Sequence, residues 1–181
     1  MKTLPRVLIT IVLVLVALQA IAQQQPSPAK TIPDSINYMW KVVESDFAGA
    51  MPEEKWSFKP TRGAFTDVRT FGEQVKHVAC ANEAWAKKLC GETPPDHCDT
   101  RGPSPARTKA DILAYLHESF VMMGGEIAKS KLDNLMTPMK GPSAGDNRLE
   151  VLNSALWHMS DHYGQLVEYL RMNGIVPPAS R

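Results

Sequence analysis

Between Asp34 and Met51, the residues Ile36, Met39, Trp40, Val43, Phe47 and Met51 recur at the three- and four-residue intervals of one helix face. A second periodic stretch opens with Thr70-Phe71-Gly72-Glu73, the form of a capping box, and runs to about Cys90. Its apolar arc is Phe71, Val75, Val78, Ala81, Trp85 and Leu89. Thr108-Lys109-Ala110-Asp111 starts a third helix with Ile112, Leu113, Leu116, Phe120 and Met123 on one face. Gly124-Gly125 weakens that helix by roughly 1 kcal/mol per glycine relative to alanine, which predicts a kink or a close helix contact there. The fourth helix spans about Arg148 to Asn173 and stops at Gly174, with Pro177 and Pro178 beyond. Its broad apolar arc includes Val151, Leu152, Ala155, Leu156, Met159, Tyr163, Leu166 and Leu170.

Between these stretches the pattern breaks at Pro52 and through Arg69, across Gly91 to Arg107, and from Thr137 to Asn147. The second break carries Pro94, Pro95, Pro103 and Pro105 and is long enough to cross the end of a bundle. Trp56 and Phe58 in the first break read as an apolar plug over one end of the core, with ligand stacking as the alternative. Four amphipathic helices without a strand pattern predict an all-α fold, a four-helix bundle, antiparallel or mixed.

The chain begins differently. Lys2 and Arg6 precede an apolar run from Val7 to Leu18, and Ala20-Ile21-Ala22 fits a small-residue cleavage site. The expected organisation is a signal peptide over 1–22, a flexible leader over 23–33 and the bundle domain over 34–181. The apolar run is short for a membrane span, so no stable membrane anchor is expected after cleavage, and the destination is the periplasm or beyond. Loss of Lys2 and Arg6 leaves 18 basic against 19 acidic residues, a net charge near −1. Such a balance offers no basic surface for phosphates and argues against nucleic acid as a partner. A small-molecule substrate is expected, and the sequence is compatible with a homodimer. Cys80, Cys90 and Cys98 are an odd set where disulfides persist. A disulfide between Cys90 and Cys98, which would close a short loop, is expected, leaving Cys80 as a buried thiol in the second helix or, alternatively, near the histidines as an extra ligand or reactive thiol.

His158 and His162 lie four residues apart on the fourth helix, so both rings leave one helix face close enough to share an ion. Both sit at a margin of the apolar arc, and His77 occupies the same kind of margin on the second helix. If these two helices are neighbours, the three rings meet near the bundle interior, where bundles build metal sites. Three imidazoles suit a divalent ion such as Zn, Ni, Fe or Mn and leave a position open for water or substrate. The alternative is a set of ordinary boundary histidines that bind nothing. Ligating rings need acceptors for their outer nitrogens, and Glu73, Asp161 and Gln165 are near enough along their helices to serve. His97 and His117 read as surface residues.

The segment His158-x-x-x-His162-Tyr163-Gly164-Gln165-Leu166-x-x-Tyr169-Leu170-Arg171 resembles the DinB-like superfamily of metalloenzymes. Thr70-Phe71-Gly72-Glu73-x-x-x-His77-Val78-Ala79 and Lys55-Trp56-Ser57-Phe58-Lys59-Pro60 extend the likeness over most of the chain after residue 22. The resemblance implies an up-down-down-up four-helix bundle and a divalent metal held by three histidines, matching His77, His158 and His162. It also implies a metal-dependent activity of hydrolase or thiol- or group-transferase type, against which stands a non-catalytic metal-binding module. A common form of the family has a basic residue where this chain has Tyr163. Characterised relatives use low-molecular-weight thiols of the cytoplasm, so for an exported chain the likeness transfers no substrate.

Overall fold

A computed structural model describes residues 28–61, 67–99 and 102–181; the expected signal segment and residues 23–27 lie outside them. Those residues form four principal helices: α1 (Pro28–Lys41), α2 (Phe71–Cys90), α3 (Lys109–Ala128) and α4 (Arg148–Met172). Among them there is no strand, and no helix is long and apolar enough to cross a membrane. α1 packs against α3 and α4, and so does α2.

The first helix overlaps the expected leader over residues 28–33. α1 opens at Pro28, because proline fits the first helical position, where its missing N–H has no partner to lose. Ala29-Lys30-Thr31-Ile32-Pro33 carries too few apolar positions to show a helical period. α1 continues as a π-helix over Val42–Ala48, which keeps Val43 and Phe47 buried. The other three helices start where the sequence placed them, each behind a polar cap. Thr70, Thr108 and Asn147 each accept from the backbone N–H three residues on, and Glu73, Asp111 and Glu150 return the bond. α3 runs unbroken through Gly124-Gly125, and a side chain at Gly125 would meet open space, so no close helix contact explains that glycine.

Phe47, Met51, Phe71, Leu116, Met159 and Leu166 are among the wholly buried side chains of a single core. The plug expectation holds. Trp56 Nε1 donates to the Met51 carbonyl at 2.9 Å, and its ring meets Phe71 edge-on with centroids 5.6 Å apart. Phe58 lies edge-on to Tyr169 at 6.0 Å. Gly72 permits this closure, since a Cβ there would stand 2.9 Å from the Trp56 ring.

The loop after α2 runs back along the flank of that helix, so its course differs from a crossing of the bundle end. Lys76 Nζ donates to the carbonyls of Ser104 and Ala106 at 2.7 and 2.9 Å, and Cys98 lies against Cys80. The disulfide is therefore Cys80–Cys98, with Cα atoms 5.4 Å apart, and not Cys90–Cys98. Cys90 is a free, exposed thiol at the end of α2, its Sγ directed at the Lys87 carbonyl. Closeness in sequence misled here because the chain turns back before Cys98, towards the buried side of α2 where Cys80 waits.

Candidate metal centre

His77 lies in the second turn of α2, and His158 and His162 lie one turn apart in α4. Packing of α2 on α4 brings the three together. His158 Nε2 stands 3.1 Å from His77 Nε2 and 3.0 Å from His162 Nε2, so all three rings aim the same nitrogen at one point. His77 and His162 are buried, and His158 is half-buried at the mouth of the cluster.

The outer nitrogens are held differently. His77 Nδ1 donates to the Cys98 carbonyl at 2.7 Å, which places the ring's proton there and leaves Nε2 bare. His162 Nδ1 lies against the Gln74 amide nitrogen. That nitrogen donates to Gln165 Oε1 at 2.6 Å, and Gln165 Nε2 donates to Asp161 Oδ2 at 2.8 Å. Of the three expected acceptors, Gln165 belongs to the collar around His162, and Asp161 reaches it only through Gln165. Glu73 instead turns its carboxylate to the start of α2, where Oε2 accepts from Thr70 N–H at 2.9 Å. Sequence reasoning missed Gln74, although it precedes His77 by three residues and so shares its face of α2. Cys98 was also missed in this role, because a backbone carbonyl leaves no mark in a sequence.

All three rings are held in the neutral form. Burial pushes His158 down to about 4, and a neighbouring His77 charge adds to the effect. Burial likewise takes His162 to about 3, followed by the charges of His158 and His77, while hydrogen bonding by Gln165 opposes the shift. His77 is lowered by burial first, against the Cys98 carbonyl, which favours its charged form. His97 and His117 are exposed, as expected.

Neutral imidazoles are the form that ligates a metal. With His77 Nε2 bare, His158 Nε2 offers either one proton or one lone pair, so its two contacts cannot both be ordinary hydrogen bonds and at least one sets like against like. A cation at their centre removes that repulsion. Nitrogens bound to Zn at ~2.0–2.1 Å stand ~3.3–3.4 Å apart in a tetrahedral arrangement, a few tenths of an ångström beyond the spacing here. The donor set fits a divalent ion.

A family model of the DinB superfamily matches residues 40–166, which include α2, α3 and all three histidines. The chain belongs to the DinB superfamily. No curated protein matches it. Within this family the triad is a group that could bind a metal ion, and the fold and the cluster are compatible with a metal-binding enzyme.

Proposed function

We propose that this DinB-superfamily chain is an exported, divalent-metal-dependent enzyme of hydrolase or thiol- or group-transferase type, in which His77, His158 and His162 hold the ion. The observation that carries the reading is the convergence of three neutral Nε2 atoms from two helices. A bound ion would supply an acidified water near neutral pH, or a Lewis acid for a carbonyl or phosphoryl oxygen. Three protein ligands would leave a coordination position open, as in catalytic sites, and the partial exposure of His158 supports access to it from solvent.

The proposed topology is up-down-down-up. Lys76 meets Ser104, and Glu83 meets Tyr115, which supports α2 and α3 running in the same direction. Arg148 meets Leu89, and Tyr169 meets Arg69, which supports α4 running against α2. Export is supported by the charged and apolar start of the chain and by the disulfide, which persists in oxidising compartments.

A structural ion is the second reading, favoured by the burial of His77 and His162 and by the tie it would make between α2 and α4. Elemental analysis of the purified protein, beside a variant with His77→Ala, His158→Ala and His162→Ala, tests the shared premise. About one ion per chain, lost in the variant, is expected; no ion after incubation with Zn, Ni, Fe or Mn would refute it. Azide binding to the cobalt-loaded protein then separates the two readings. A spectral change supports the open enzyme site, and its absence supports the structural ion.

A further inference from the structure

We infer that the Cys80–Cys98 disulfide is a positioning device for His77: it holds the Cys98 carbonyl on Nδ1 and so keeps Nε2 bare towards the triad. The inference rests on the metal reading above and adds a residue pair that acts through a ligand without touching the ion.

One loop residue makes both connections. The Cys98 side chain is bonded to Cys80, and its carbonyl accepts the His77 Nδ1 proton at 2.7 Å. Cys80 follows His77 by three residues on α2, so sulfur and imidazole leave neighbouring positions of one helix face. The bridge is therefore aimed at the backbone unit that the ring reads, and Cys80 itself is completely buried.

The loop is folded tightly around that bond. His97 has φ +62°, a left-handed conformation uncommon for a residue with a side chain, and its carbonyl accepts from Gly102 N–H at 2.8 Å. Gly102 has φ +63°, and a Cβ there would come within 2.9 Å of Cys80 Sγ. Both features place Cys98 inside a turn shaped to the sulfur pair.

Other ties hold the loop without fixing this carbonyl. Lys76 secures Ser104 and Ala106, several residues further on. Arg69 donates to the Asp99 carbonyl at 2.7 Å, yet that bond is exposed and competes with water. With the disulfide cut, the described contacts that remain at Cys98 are that of its carbonyl with the ring it is meant to orient and a 3.9 Å contact of its Sγ with the Pro95 carbonyl of the same loop. His77 is then free to carry its proton on Nε2, the nitrogen that must be bare to ligate. Loss of an outer partner of a ligating histidine costs typically about 10–100-fold in metal affinity.

The test compares the protein with a Cys80→Ala/Cys98→Ala variant. Zn affinity is measured by competition with a chromophoric chelator. The His77 tautomer is read from imidazole 15N shifts in metal-free, histidine-labelled protein, assigned by difference from His77→Ala. The expected result is a ~10–100-fold weaker Zn affinity with helical circular dichroism retained, and a His77 signal that moves from the Nδ1–H form to exchange between tautomers. Unchanged affinity, or weaker binding with the Nδ1–H form intact, would overturn the inference, since the bridge would then only stabilise a loop. If the double variant does not fold, the bond is cut in place with a water-soluble phosphine, which takes an oxygen atom from water as two thiols form, and the tautomer is read again. Should the unaltered protein bind no Zn, the metal reading fails, while the tautomer still decides the role of the bridge.

Discussion

Two strips of side chain run along α2 and α4, and they are held together by different physics. The core strip contains Phe71, Val75, Leu166 and Leu170, all essentially inaccessible and none able to ionise. Beside it, Gln74, His77, His158 and His162 form a polar strip of comparable burial, apart from His158 at its mouth. The apolar strip gains stability simply by leaving water. In the polar strip each buried nitrogen needs a partner, and each ring must stay neutral to remain buried. The core strip therefore sets how stable the bundle is, whereas the polar strip sets under which conditions it is stable and what it can bind.

The largest effect that separates the strips is expected from Leu166→Ala. Leu166 is wholly buried one turn beyond His162, and truncating such a leucine costs about 2–5 kcal/mol. Denaturant unfolding should show that loss while elemental analysis still finds one ion per chain. Loss of the ion from a variant that remains folded would mean that the strips are not separable.

Acid should act on the polar strip alone. In the metal-free protein His158 and His162 are depressed to about 4 and about 3, whereas an unfolded histidine titrates near ~6.5. The unfolded chain therefore binds protons first as pH falls. Their neutral burial costs nothing extra above about pH 6.5, and stability declines between that value and the folded values. Thermal unfolding from pH 7.5 to pH 5 should show a falling midpoint, with a shallower fall when the three histidines are replaced by alanine. An equally steep fall in that variant would move the acid sensitivity elsewhere.

A smaller effect is expected from Gln74→Leu, which keeps bulk in the seam but removes the amide against His162 Nδ1. A ligating His162 carries its proton on Nδ1, so the Gln74 amide, whose nitrogen faces the ring here, must turn its oxygen to receive that proton when an ion binds. Affinity for Zn should fall by about 10–100-fold with little change in the stability of the metal-free protein. Equal affinity would leave Gln165 as the sufficient acceptor.

The parts of this design that were legible in the sequence are those carried by periodicity and caps. Thr70 and Thr108 mark helix starts because capping is local chemistry, whereas the break before α4 was legible without its cap, Asn147. His77, His158 and His162 could be drawn together because each sits at the margin of an apolar arc, and margins of neighbouring helices face one another. The disulfide was not legible, because its partner depends on the direction in which a proline-rich loop leaves α2. Nor was the Cys98 carbonyl, which every residue type supplies alike. Gln74 was within reach, since its three-residue offset from His77 puts it on the ligand side, but a glutamine beside an apolar arc carries no signal of its own.

Glu73 and Gln74 are sequence neighbours with opposite assignments, and the smallest predicted effect comes from telling them apart. Proximity along the helix favours Glu73 as a partner for His77, one turn away. Yet its Oε2 accepts from Thr70 N–H at 2.9 Å, and its own backbone N–H donates to Thr70 Oγ1 at 3.2 Å, closing the cap of α2. The His77 ring has the Cys98 carbonyl in its place. Glu73→Gln keeps a side-chain oxygen for the cap, so the expected cost in stability is below about 0.5 kcal/mol, as for most changes that spare core and caps. Zn affinity should stay within about twofold of the parent, far from the loss predicted for Gln74→Leu. A tenfold fall would place the Glu73 carboxylate in the field of the triad after all, and would make the start of α2 part of the metal site rather than its foundation.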